Sequence, residues 1–194
     1  MKKTILYSSF LFAAFVITFS TSGCKKKKRL AEKKPKGEVL INEYCSSDNY
    51  FSDNKAFRST GTGESMDRET AKKKARSNAN AELAKTINTV MQIVGDNYVN
   101  SSEFNNKEEV TETFNEMSRT IVDQELIGAI KICDKLTQKE NGNYVSYIAL
   151  ELSGLRLAES YSEALSRDER IRAEFNYERF KEVFEEEMRK LGNW

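Results

Sequence analysis

Histidine is absent from this chain of 194 residues. Its absence removes the Ser-His-Asp and Cys-His catalytic arrangements, the usual general base near neutral pH, and the commonest zinc and copper ligand. Acid–base chemistry would have to rest on carboxylates, lysines or tyrosines. No Cys-x-x-Cys pairs two thiols for redox work, and no aspartate-rich calcium loop of the EF-hand kind is present. Charge of one sign is missing as well, because 31 Lys and Arg face 30 Asp and Glu. Lys2 and Lys3 account for two of the 31, so the remainder is balanced to within one charge and bulk electrostatics name no partner. No cofactor, metal site or catalytic residue follows from the sequence.

What the chain does have begins at its N-terminus. Lys2 and Lys3 form a short positive region, Ile5 to Phe19 are mostly apolar, and Ser20, Thr21, Ser22 and Gly23 are small residues followed by Cys24. This order matches a lipoprotein signal peptide over residues 1–23, with Cys24 as the lipidated first residue of the mature protein. Ser8, Ser9, Thr18 and Ser20 interrupt the apolar stretch, which disfavours a permanent spanning helix of about 20 apolar residues. Cleavage by an ordinary signal peptidase near Gly23 is the closer rival, since Thr21 stands where most lipoboxes carry Leu. At about 0.8 kcal/mol per buried methylene, the acyl chains at Cys24, palmitate among them, would fix the protein to a membrane permanently.

Lys25-Lys26-Lys27-Lys28-Arg29 follow, with Lys33, Lys34, Lys36 and the only proline, Pro35, close behind. Like charges repel and nothing here fills a core, so residues 24–37 read as an extended basic tether. Attraction to anionic headgroups suits the run better than nucleic-acid binding directly behind a lipid anchor. No acidic residues stand just after Cys24, which favours the periplasmic side of the outer membrane over the cell surface.

Residues 38–194 make one domain large enough for a core. Ala56 to Gly63 reads as a strand, with Gly61-Thr62-Gly63 as a tight turn into a helix capped by Ser65 or Asp67. That turn lacks the Gly-Lys-Ser/Thr of a P-loop and the third glycine of a dinucleotide fingerprint, though an anion would most readily bind at this helix start. The helix carries Ala71, Ala75, Ala79, Leu83, Ile87, Val90 and Val94 at three- and four-residue steps. Small alanines let its axis approach a sheet closely, and Gly95 with Asp96-Asn97 can end it. After a loop at Ser101 to Asn106, Val110, Phe114, Met117 and Ile121 mark a second helix from about Glu108 to Leu126.

Ala129 to Gln138 and Tyr144 to Leu152 flank Glu140-Asn141-Gly142-Asn143, a hairpin signal. Both faces of the second strand carry apolar side chains, so either a helix covers each face or one face meets another subunit. Ser166-Arg167-Asp168-Glu169 fits a capping box, and Phe180, Phe184, Met188 and Leu191 stripe the C-terminal helix before Trp194. Packing on its own domain suits that helix better than a membrane, because its polar face is Glu-rich. Consecutive Glu185, Glu186 and Glu187 point in different directions and read as a solvated face rather than a catalytic pair. With Cys24 lipidated, Cys45 and Cys133 remain as an even pair in an exported protein. A disulfide between them is expected, with two buried free thiols as the alternative.

The order of Phe57-Arg58-Ser59-Thr60-Gly61-Thr62-Gly63-Glu64-Ser65, then Ala71, Lys72 to Lys74, Ala75 and Ala79, then Tyr147-Ile148-Ala149-Leu150-Glu151, resembles the LPP-twenty lipoprotein family. The resemblance spans roughly Tyr44 to Leu191. It implies an α+β fold in which a long helix lies across a small three-stranded antiparallel sheet, with further C-terminal helices, and it brings no catalytic residues. Three function classes follow. The leading one is a non-enzymatic outer-membrane lipoprotein, anchored at Cys24, that presents a periplasm-facing domain to a protein partner or to further copies of itself in envelope assembly or maintenance. The second is a carrier of a small apolar or anionic ligand between helix and sheet. An enzyme is the third.

Overall fold

The computed structural model describes residues 37, 41–46 and 48–191. The predicted signal peptide, Cys24, nearly all of the predicted tether and Trp194 lie outside the described residues. A 3-10 turn at Asp48–Tyr50 precedes β1 (Ala56–Ser65), α1 (Arg68–Ser101), α2 (Lys107–Leu126), β2 (Ile130–Gln138), β3 (Tyr144–Ser153), α3 (Gly154–Arg167) and α4 (Tyr177–Leu191). The fold is α+β, with a three-stranded antiparallel sheet in the order β1-β3-β2. The segment Ile41–Trp194 forms one compact unit, and its main core draws only on residues from Phe57 to Leu191.

The seam between α1 and β1 explains both glycines of the Gly-x-Gly. On β1, Phe57, Ser59, Gly61 and Gly63 alternate toward α1, opposite Leu152, Leu150, Ile148 and Ser146 of β3. A Cβ on Gly61 would lie 2.3 Å from the Ala75 carbonyl oxygen and 2.5 Å from the Ala79 nitrogen. On Gly63 it would meet the Ala71 oxygen at 2.3 Å. Helix backbone therefore rests on strand backbone, as the alanine spacing implied, and the Ser59 hydroxyl donates to the Ala79 carbonyl at 2.7 Å. The glycines are not a turn, however. They lie inside β1, where close approach requires them, and the chain turns at Met66-Asp67. Asp67 rather than Ser65 caps α1, accepting the Thr70 N–H at 2.7 Å.

Two helix boundaries also differ from the sequence reading. α1 runs past Gly95, Asp96 and Asn97 because Gly95 makes room for the Phe114 ring, whose Cδ1 would be 2.7 Å from an added Cβ. The extra turns bury Tyr98 and Val99, and that tertiary gain outweighs the cost of a mid-helix glycine, about 1 kcal/mol. Ser166 to Glu169 form no capping box. Ser166 lies in the last turn of α3 and donates to the Glu163 carbonyl, while Asp168 ends that helix. α4 starts later, with Asn176 accepting the Arg179 N–H at 3.0 Å.

α1 covers one face of the sheet. Among the described residues no second helix covers the other face, which the segment before β1 partly covers. Cys45 and Cys133 are joined by a disulfide there, packed with Ala149, Tyr50, Ile132 and Tyr147. Nearby, Arg58 pairs with Asp53 at 2.8 Å and with Glu151 at 2.6 Å, pinning the same segment to β3. Partial burial disfavours ionised Asp53, but the N–H groups of Lys55 and Ala56 and the Arg58 guanidinium outweigh it and hold the carboxyl below its usual range. A depressed folded-state pKa contributes stability above about pH 4 that is lost as pH falls through the folded value. The urea midpoint should drop below about pH 4, and Asp53→Asn should flatten that drop; an unchanged acid limb in the variant would assign the loss to other carboxylates.

Candidate ligand pocket between α3 and α4

Ser153 ends β3 and at once caps α3, its Oγ accepting the Arg156 N–H at 3.4 Å. Gly154 follows without a side chain because the chain before β1 runs past it. Its N–H donates to the Lys55 carbonyl at 2.8 Å, and a Cβ there would lie 3.0 Å from both that oxygen and the Met188 methyl. α4 lies alongside α3 with the predicted stripe of Phe180, Phe184 and Met188 turned inward. Phe180 sits in an aromatic cluster, with ring centroids 5.8 Å from Tyr98, 6.2 Å from Phe114 and 6.4 Å from Phe184. The cluster holds α4 against α1 and α2.

Between the two helices lies a pocket of about 340 Å³. Ala158, Phe180, Phe184 and Met188 close its inner end and are themselves buried. Leu155 and Tyr177 border it at 60% and 42% exposure, so its mouth is apolar as well. Asn54, Lys55, Glu159, Lys181 and Glu185 supply the polar rim. A second hollow of about 430 Å³ lies between α1 and α2, lined by Asn88, Gln92, Asn115, Ser118 and Arg119 without an apolar floor. At Gly61 and Gly63 the helix–sheet seam leaves no room even for a Cβ.

The buried and shifted ionisable groups are held in structural contacts away from the pocket. Glu125 accepts from the Ser160 hydroxyl at 2.8 Å and lies 2.7 Å from the Arg156 Nε, whose guanidinium packs over Gly128. Glu185 reaches back to Lys181 at 4.0 Å, whereas Glu186 and Glu187 share Lys190, and Glu187 also accepts from Asn97 at 2.9 Å. Burial pushes the Tyr161 phenol up to about 12, away from any role near neutral pH. At the start of α1, Asp67 and Glu69 place two carboxylates where an anion would bind. Among the described residues no group of three His, Cys, Asp or Glu side chains is placed to hold a metal, and no helix is long and apolar enough to cross a membrane.

No family model and no curated protein matches this chain. The Phe/Met stripe was readable from helical spacing as buried core, which it is; the gap beside it comes from the α3–α4 pairing, which the spacing of neither helix shows.

Proposed function

We propose that the protein is a non-enzymatic, lipid-anchored envelope lipoprotein of the LPP-twenty kind, held in the outer membrane through Cys24 and presenting its α+β domain on the periplasmic side in envelope assembly or maintenance. The supporting observation is the Cys45–Cys133 disulfide, which fastens the residues following the basic tether onto the sheet. Such bonds persist in oxidising compartments outside the cytoplasm, where the lipobox-like sequence ending at Cys24 would send the chain. Cys24→Ala should abolish acyl labelling and move the protein from the membrane to the soluble fraction; full membrane retention would contradict the anchor. Cross-linking in intact cells, comparing the whole chain with one ending at Gly37, tests the interaction role. A partner or a second copy captured only when the folded domain is present supports it, and identical captures from both chains would count against it.

The α3–α4 pocket favours a second reading, a carrier of a small apolar or amphipathic ligand. Its exposed apolar side chains, Leu155 and Tyr177, stand beside a few polar groups, the mix a small-molecule site uses. Small molecules extracted from the protein after purification from its producing cells would test this, and an empty extract would weigh against it.

A further inference from the structure

We infer that the sheet face opposite α1 lies on the surface of the membrane that holds Cys24, with Ile41, Tyr44, Phe51 and Ile130 entering the headgroup layer. This rests on the lipid anchor proposed above and adds how the domain sits. Tyr44 packs edge-on against Tyr147 of β3, with ring centroids 5.4 Å apart. Ile130 pairs with Glu151, and Arg58, which binds Glu151, also donates to the Phe51 carbonyl at 3.0 Å. Tyr147 and Glu151 alternate with Ile148 and Leu150, which face α1, so this set belongs to the outer face. Ile41 precedes Tyr44 closely, and the four side chains are between 56% and 78% exposed.

The route of the chain names the occupant. The residues from Cys24 to Ile41 reach at most about 60 Å even fully extended, and they deliver the chain to this face. They carry eight Lys or Arg against two Glu, and anionic headgroups attract such a run. Tyr44 has the amphipathic ring that settles at a membrane–water boundary, and Phe51, Ile41 and Ile130 have the apolar side chains that enter it. Asp53 and Glu151 on the same face are both paired with Arg58, and Lys135 is the register partner of Tyr147. Glu43, between Ile41 and Tyr44, is left for the cations of the tether to offset. A patch tied this close to the bilayer needs little affinity of its own, because the anchor makes the contact intramolecular.

The test separates face from anchor by using the unlipidated chain from Lys25 to Trp194, which contains the whole compact unit, with vesicles of phosphatidylcholine and phosphatidylglycerol. In a Trp194→Phe background, Tyr44→Trp should be quenched by brominated acyl chains, whereas Ile93→Trp, on the helix that covers the opposite face, should not. Phe51→Ser with Ile130→Ser should weaken vesicle binding roughly tenfold although the tether is unchanged, and melting curves show that this variant is folded. Equal quenching at the two positions, or undiminished binding of the double variant, overturns the inference and leaves the tether alone to hold the chain. A dimer in solution that the double variant converts to monomer would give the face to a second copy, which also overturns it. An unmodified Cys24 in the native protein, with Tyr44→Trp still quenched, would discard the anchor and keep the lipid-facing surface. A lipidated Cys24 without that quenching would keep the anchor and discard the face.

Discussion

Gly61→Val is expected to lower the unfolding free energy by more than about 3 kcal/mol, the largest effect of any single substitution considered for this protein. A Cβ at this position falls 2.3 Å from the Ala75 oxygen and 2.5 Å from the Ala79 nitrogen. Both are backbone atoms of a helix held by Leu83, Ile87 and Met91, each fully buried, so no flexible side chain can yield. Relief requires α1 to lift from the sheet, which would open the core along β1 and β3. Thr60→Val, at the exposed neighbouring position on the same strand, should stay within about 0.5 kcal/mol. Urea unfolding of the two variants measures the difference, and equal midpoints would mean that the helix does not rest on the strand backbone.

Removal of the disulfide should have an effect of similar size. Cys45→Ser with Cys133→Ser frees a bridge spanning 88 positions, for which the chain-entropy model gives somewhat more than 4 kcal/mol within a usual range of about 2–5. The segment before β1 would then be held chiefly by Arg58 with Asp53 and Glu151 and by the paired Ser52–Arg58 hydrogen bonds. Oxidised protein should melt well above protein kept in reductant, and the double variant should match the reduced form. Coincident melting curves for oxidised and reduced protein would show that the bond adds nothing to the fold.

The elements were legible wherever one period dominates. Ala71 to Leu83 at four-residue steps announced both α1 and its close approach to a sheet, and Asn141-Gly142 announced the β2–β3 hairpin, where Gly142 takes a φ of 87°. The reading failed where a tertiary partner decides. Gly95 looked like a stop signal until the Phe114 ring came to lie over it, and Gly61-Thr62-Gly63 looked like a turn until the backbone of α1 came to lie over it. Ser166 to Glu169 carried the residues of a cap without the helix to be capped, because α3 runs to Arg167 and Asn176 starts α4. The pocket was the least legible part. It depends on how α3 meets α4, and an unfilled volume leaves no mark in either helix's own periodicity.

Membrane anchoring through Cys24 is the central claim, and intact mass analysis of the mature protein from its native membrane tests it most directly. The expected species starts at Cys24, carries diacylglycerol on its sulfur and an acyl chain on its amine, and has Cys45 and Cys133 each one hydrogen lighter. A mature chain starting at any other residue, or an unmodified Cys24, would contradict the account.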